Sequence, residues 1–206
     1  MSFEIFLALL VFAFVSSVTP GPNNLMLLAS GVNFGFRRPV PHMLGIGVGF
    51  FVLLLAVGFG LGALIETVPS FYTSLKFAGG AYMLYLAWKI ATSRSIGESK
   101  TGDSGVPMTF FQAAAFQWVN PKAWVMAITG IATYANHDNY YVAVLLVSAA
   151  FAIVNLPSVW VWAGLGALLR NWPADPTRLK WFILTMALLP VLSFLSMFKS
   201  LIEEVD

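Results

Sequence analysis

Along the chain, apolar positions come in long runs separated by short polar clusters. Runs able to cross a bilayer cover about 3–34, 41–65, 70–92, 108–135, 140–169 and 178–200. A helix needs roughly 20 residues to span about 30 Å of hydrocarbon, so the pattern predicts six crossings. The separators are short and contain Gly, Pro, Ser or Asn. Only 93–107, SRSIGESKTGDSGVP, reads as a flexible linker. It divides a single transmembrane domain, 1–206, into one repeat over 1–92 and a second over 108–206.

Two of the six runs are interrupted. SSVTPGPNNLMLLASG, residues 16–31, breaks the first, and FQWVNPKAWVMAITG, residues 116–130, breaks the fourth. Proline blocks the helical ladder, and an asparagine amide finds no partner in hydrocarbon. Laying Pro22 on Pro121 also lays Ser30 on Thr129 and Gly31 on Gly130. Each break falls in the first span of a three-span half, so the second half enters the membrane from the opposite side. The expected fold is therefore an all-α membrane protein. Its six transmembrane helices form two inverted three-helix repeats with broken helices 1 and 4, a recurrent transporter plan.

The depth of the breaks follows from helix rise. Phe3 to Thr19 and Asn23 to Arg37 give about 24 and about 21 Å, and Pro107 to Asn120 and Lys122 to His137 about 20 and about 22 Å. Both breaks fall near mid-membrane. Irregular backbone there is tolerated only when buried in protein or lining a wet cavity. Half-helix N-termini present unpaired N–H groups and a positive dipole end, which suit a carboxylate. The breaks are thus read as a polar site in the membrane centre.

Composition agrees with the pattern. With 59% hydrophobic and 10% charged residues and a mean hydropathy of +0.82, the chain has too little charge to cover a soluble domain. Its net charge of +2 includes no basic cluster suited to nucleic acid. Cysteine is absent, which excludes disulfides, thiolate metal sites and cysteine nucleophiles. MSFEIFLALL lacks a basic n-region and an evident cleavage site, and is read as an uncleaved first span. GESKTG in the linker lacks the glycine spacing and strand-to-helix context of a phosphate loop, leaving a solvated loop.

Basic residues fall on alternate loops. Arg37 and Arg38 follow span one, Lys89, Arg94 and Lys100 follow span three, and Arg170, Arg178 and Lys180 follow span five. The opposite loops carry Glu66 and Asp138, with Lys76 and Lys199 as strays. The positive-inside rule makes the basic loops cytoplasmic and places both termini outside. Trp172 and Trp181 flank the last basic loop as an interfacial belt would.

Candidate chemistry collects at the breaks. Asn23 and Asn24 are read as substrate contacts, as local caps of the following half-helix, or as both. Pro20, Gly21 and Pro22 shape the first break, and glycine lets the backbone approach a ligand. Asn120 and Pro121 repeat the pattern. Lys122, an ionisable residue at mid-span, is a functional candidate by default. It is read as a carboxylate partner or proton-coupling site, against a structural pairing with carbonyls freed at the other break. Asn155 beside Pro157 in span five lines the cavity or bonds between helices. Pro190 reads as a kink. Gly45, Gly49, Ala56 and Gly60 share one face of span two and are expected to allow close packing. His42 is read as a boundary residue, and Glu66 as paired with Lys76. No HExxH, GxSxG or paired-carboxylate pattern is present, and no metal site or cofactor is expected.

The chain resembles the LysE/RhtB superfamily of bacterial amino-acid exporters. TPGPNN, GFRR, LKFAGGAYMLYLAWKIATS and NPKAW carry the resemblance, in order and over essentially the whole chain. TPGPNN with AGGAYMLYLAWKIATS looks most like the branch that includes the cysteine and O-acetylserine exporter. The resemblance implies a multi-pass efflux carrier of the inner (cytoplasmic) membrane for amino acids or close derivatives.

The leading expectation is a secondary carrier exporting small amino acids, driven by protons. An intramembrane enzyme or cofactor- or lipid-binding protein, and a non-transporting assembly or sensor subunit, are the competing classes. The inverted repeat favours transport, because symmetry supplies two access states of similar energy. A site with one lysine and no mid-depth carboxylate favours small neutral substrates over basic ones. Homo-oligomerisation is left open.

Overall fold

A computed structural model describes residues 1–61, 106–135 and 139–170, together with Ala81. All regular structure among the described residues is helical. The expected third and sixth spans lie outside them. So do Glu66, Lys76, Lys89, Arg94, Lys100, His137, Trp172, Trp181 and Pro190.

Helix α1 runs Phe3–Val18 and starts at Ser2, whose hydroxyl accepts from the Ile5 amide at 3.3 Å. It stops where Pro20 forbids it to continue. The residue before a proline is driven out of the helical region, and Thr19 sits at φ −54°, ψ 133°. Gly21 is extended, and Pro22 opens α2, Pro22–Phe34, at the N1 position where its missing N–H costs nothing. The two helices meet at 53°. Helix α2 ends on Gly35, whose φ of 75° favours glycine.

Helix α3 covers Val40–Ala56 and widens into a π-helical turn over Val57–Leu61, where Gly60 takes φ 128°. The second interrupted run folds as α4, Phe110–Phe116, and α5, Pro121–Tyr134. Thr109 and Gln112 form a reciprocal capping box at the start of α4. Asn120 caps α5, and Pro121 again occupies N1. Helix α6, Tyr140–Arg170, is about 46 Å long.

Among the described residues, Val40–Leu61 and Tyr140–Arg170 are long and apolar enough to cross a membrane, and the bent pair α1–α2 adds a third such segment. Outward positions are apolar, with Phe3, Phe111, Ile153 and Leu168 at least 70% exposed, as befits a surface facing lipid.

Lipid tails give helices no hydrophobic reason to associate, so close van der Waals contact must hold them. Helix α2 packs on α6 at Gly31 and Gly166. A Cβ on Gly31 would run into the backbone of Ala163 and Ala167, and one on Gly166 into Leu28. Helix α3 meets α4 the same way, Gly45 against Phe110 and Gly49 against Ala114. Gly60 does not belong to that seam: nothing lies within 4 Å of a Cβ built there. Its place is the backbone break that its positive φ permits.

Two apolar clusters fill the interior. One joins α1, α3, α5 and α6 through Leu9, Leu53, Trp124 and Val147. In it Phe151 stands edge-on to Phe12 at 5.9 Å and to Phe50 at 5.7 Å. The other joins α2, α3, α4 and α6 through Leu27, Met43, Ala113 and Val159. His42, read as a boundary residue, lies in the first turn of α3. It is 2% exposed, with neither ring nitrogen hydrogen-bonded, because it starts the α3 face that buries Met43, Gly45 and Ile46.

Candidate functional site

Along α6, Asn155 falls between the residues of the two apolar clusters, and both breaks converge on it. Gly21, Pro22, Asn23, Asn24, Asn120, Lys122 and Asn155 line one cavity. Pro121, the remaining residue expected there, is buried as the first residue of α5 and does not line it.

A helix end leaves four carbonyls without intrahelical donors. At α1 these are satisfied largely by side chains from elsewhere. The Asn24 amide donates to Ser17 O and Thr19 O, both at 2.9 Å. The Trp162 indole of α6 donates to Val18 O at 3.2 Å. The Lys122 ammonium of α5 also donates to Thr19 O. This places a cation at the negative end of the α1 dipole, where it is stabilised.

Helix α2 has no side-chain cap at its start. The expectation that Asn23 and Asn24 cap it is therefore not met. Asn24 is turned back to α1, and Asn23 pairs across the cavity with Gln117. The Asn23 amide donates to Gln117 Oε1 at 2.8 Å, and the Gln117 amide donates to Asn23 Oδ1 at 3.1 Å. Gln117 also donates to Ala113 O at 2.9 Å and has no exposed surface. Asn120 does act as a cap, accepting from the Lys122 amide at 3.2 Å.

Gly21 does bring its backbone close to another group, and that group is the Lys122 side chain. A Cβ there would stand 2.7 Å from Lys122 Cδ and 3.1 Å from Nζ. The glycine is a seat for the lysine stem. Asn155 is 7% exposed, and its amide donates to Ser17 Oγ at 3.3 Å while Oδ1 has no partner.

Sequence reasoning missed Gln117, Ser17 and Trp162. The signal for Gln117 was a lone polar residue three positions before Asn120. Nothing in the spacing named its partner, 94 residues away.

The cavity holds about 20 Å³ of space that the centre of a water molecule can reach. That is room for roughly one water and far less than an amino acid needs. An amino acid does not fit this cavity as it stands. Among the described residues, none of the lining side chains is acidic. One ammonium and the uncapped start of α2 face several uncharged amides and hydroxyls, while the first amides of α5 are already taken by Asn120. That set can bind a carboxylate, and it carries no nucleophile paired with a base.

A family model described as LysE type translocator matches residues 14–197. The chain is 31% identical over 164 residues to the cysteine/O-acetylserine efflux protein of Escherichia coli (strain K12), covering 78% of this chain and 81% of the relative. The proteins of that name from Shigella flexneri and Shigella sonnei (strain Ss046) match with the same identity and coverage. No solved structure matches.

Proposed function

The chain belongs to the LysE type translocator family, and from that premise we propose that it exports small neutral amino acids or their derivatives across the bacterial inner membrane. It is a helical multi-pass membrane transporter and not an enzyme. The observation that carries the substrate reading is the cavity joining the two breaks. It contains Lys122 and the starts of α2 and α5, with no lining carboxylate among the described residues.

In this reading the substrate carboxylate docks against Lys122 and the uncapped first amides of α2. Gly21, Pro22, Asn23, Asn24, Asn120 and Asn155 complete the wall, with Pro121 fixing the start of α5. Docking draws Lys122 from Thr19 O, so carboxylate and carbonyl compete for one ammonium. A basic side chain would add a second positive charge within about 5 Å of Lys122, a repulsion of about 3 kcal/mol at an effective dielectric of about 20. Cysteine, O-acetylserine, homoserine and threonine carry no such charge.

Transport would proceed by rocking of two inverted three-helix repeats about this cavity, with both termini outside and protons as the coupling ion. Lys122 is the coupling candidate, because its ammonium bridges the breaks and is the charged group among the described residues of the cavity wall.

Purified protein in liposomes, loaded with labelled L-cysteine or O-acetyl-L-serine, tests the reading. Substrate-dependent efflux that quickens under an imposed proton gradient is expected. Efflux of lysine or arginine in preference to small neutral amino acids would overturn the substrate reading, and indifference to the gradient would overturn proton coupling.

A further inference from the structure

Asn155 Oδ1 is a buried acceptor without a donor, and Asn155 lines the cavity that Lys122 also lines. Leaving such an acceptor unpaired away from water is costly, typically about 1–3 kcal/mol. Its surroundings give it a definite electrostatic character. One N–H of the Asn155 amide is taken by Ser17 Oγ, and the oxygen has no donor. Ser17 belongs to the last turn of α1, where the helix dipole is negative. The cavity wall therefore offers two kinds of group: Lys122 and the uncapped start of α2 suit an anion, and the unpartnered Asn155 Oδ1 suits a hydrogen-bond donor.

An α-amino acid carries the matching pair of charges on adjacent groups. We infer that Asn155 is the residue that recognises the substrate's α-ammonium group, accepting a hydrogen bond through Oδ1 while the carboxylate lies toward Lys122. The inference rests on the functional reading above and adds to it a direction of binding and a requirement. The amino group is read as well as the carboxylate, so a carboxylic acid of the same size without the amino group is rejected.

The test uses the full chain in liposomes with two probes, L-cysteine and its des-amino analogue 3-mercaptopropionate. The half-saturating concentration is measured for labelled cysteine, and the half-inhibiting concentration for the analogue. The wild-type protein is expected to prefer cysteine at least tenfold. Asn155→Leu should remove that preference by weakening cysteine about tenfold or more while leaving the analogue within twofold. Asn155→Asp keeps an oxygen acceptor and loses the N–H, and should retain the preference.

Equal weakening of both probes in the Leu variant overturns the assignment, since a merely structural Asn155 would act on both. Loss of cysteine recognition in the Asp variant overturns it too, because it would mean that the amide N–H is what the substrate needs. The Asp variant decides alone if the Leu variant does not insert. A wild-type protein that moves cysteine without preferring it over the analogue refutes this inference and spares the functional reading. One that moves no small amino acid refutes both.

Discussion

Asn23 and Lys122 stand at equivalent positions, each the second residue of a helix that opens with proline after a break, and each reaches across to the other break. The register that lays Pro22 on Pro121 lays one on the other. Asn23 takes Gln117 just before the second break, and Lys122 takes Thr19 O at the first. Two helix interruptions are thereby closed on each other by one neutral and one charged contact.

Replacing the charged member separates transport from folding. Thr19 O keeps the Asn24 amide as a donor when Lys122 is gone, so Lys122→Met should insert normally and lose export. Lys122→Arg should recover it in part at most, because a planar guanidinium does not replace a compact ammonium. Transport normalised to membrane protein checks this. Intact activity per molecule with lowered thermal stability would make Lys122 a brace and nothing more.

The neutral member is expected to act as a coupled pair. Asn23→Leu or Gln117→Leu alone strands an amide in the interior at a cost of about 1–3 kcal/mol. The double Leu variant should cost clearly less than the sum of the singles. Thermal unfolding in detergent of the four proteins measures the coupling, and simple additivity would refute it.

Packing of α2 on α6 depends on bare backbone. Gly166→Val or Gly31→Val pushes a side chain into the facing helix, and overpacking of this kind costs about 1–3 kcal/mol or more. Gly164→Ala is the control, because its nearest neighbour would be Phe36 at 3.7 Å. It should be neutral or raise stability, since alanine is the better helix former by roughly 0.5–1 kcal/mol. Folded yield and melting temperature distinguish the two.

The breaks were legible because proline acts locally: Pro20 displaces Thr19 from the helix, and Pro22 and Pro121 each seat at N1 whatever surrounds them. The seam at Gly45 and Gly49 was legible from periodicity. Partners were not. Gln117 finds Asn23, and Trp162 finds Val18 O, only after several helices have packed. Burial of His42 likewise depends on which side of α3 faces inward. Gly60 was misread because helical spacing cannot reveal that the helix is about to bend.

Orientation is open to a direct measurement. With no cysteine in the chain, single cysteines introduced loop by loop report without background. An impermeant thiol reagent applied outside should label a cysteine placed near the C-terminus and spare one at position 98. Labelling at 98 from outside would reverse the assigned topology.

Gly21 lacks room for a side chain because the Lys122 stem already fills that space. A residue larger than glycine at 21 would have to displace the outer atoms of the Lys122 side chain, so a change at 21 is felt at 122 although the two lie far apart in sequence.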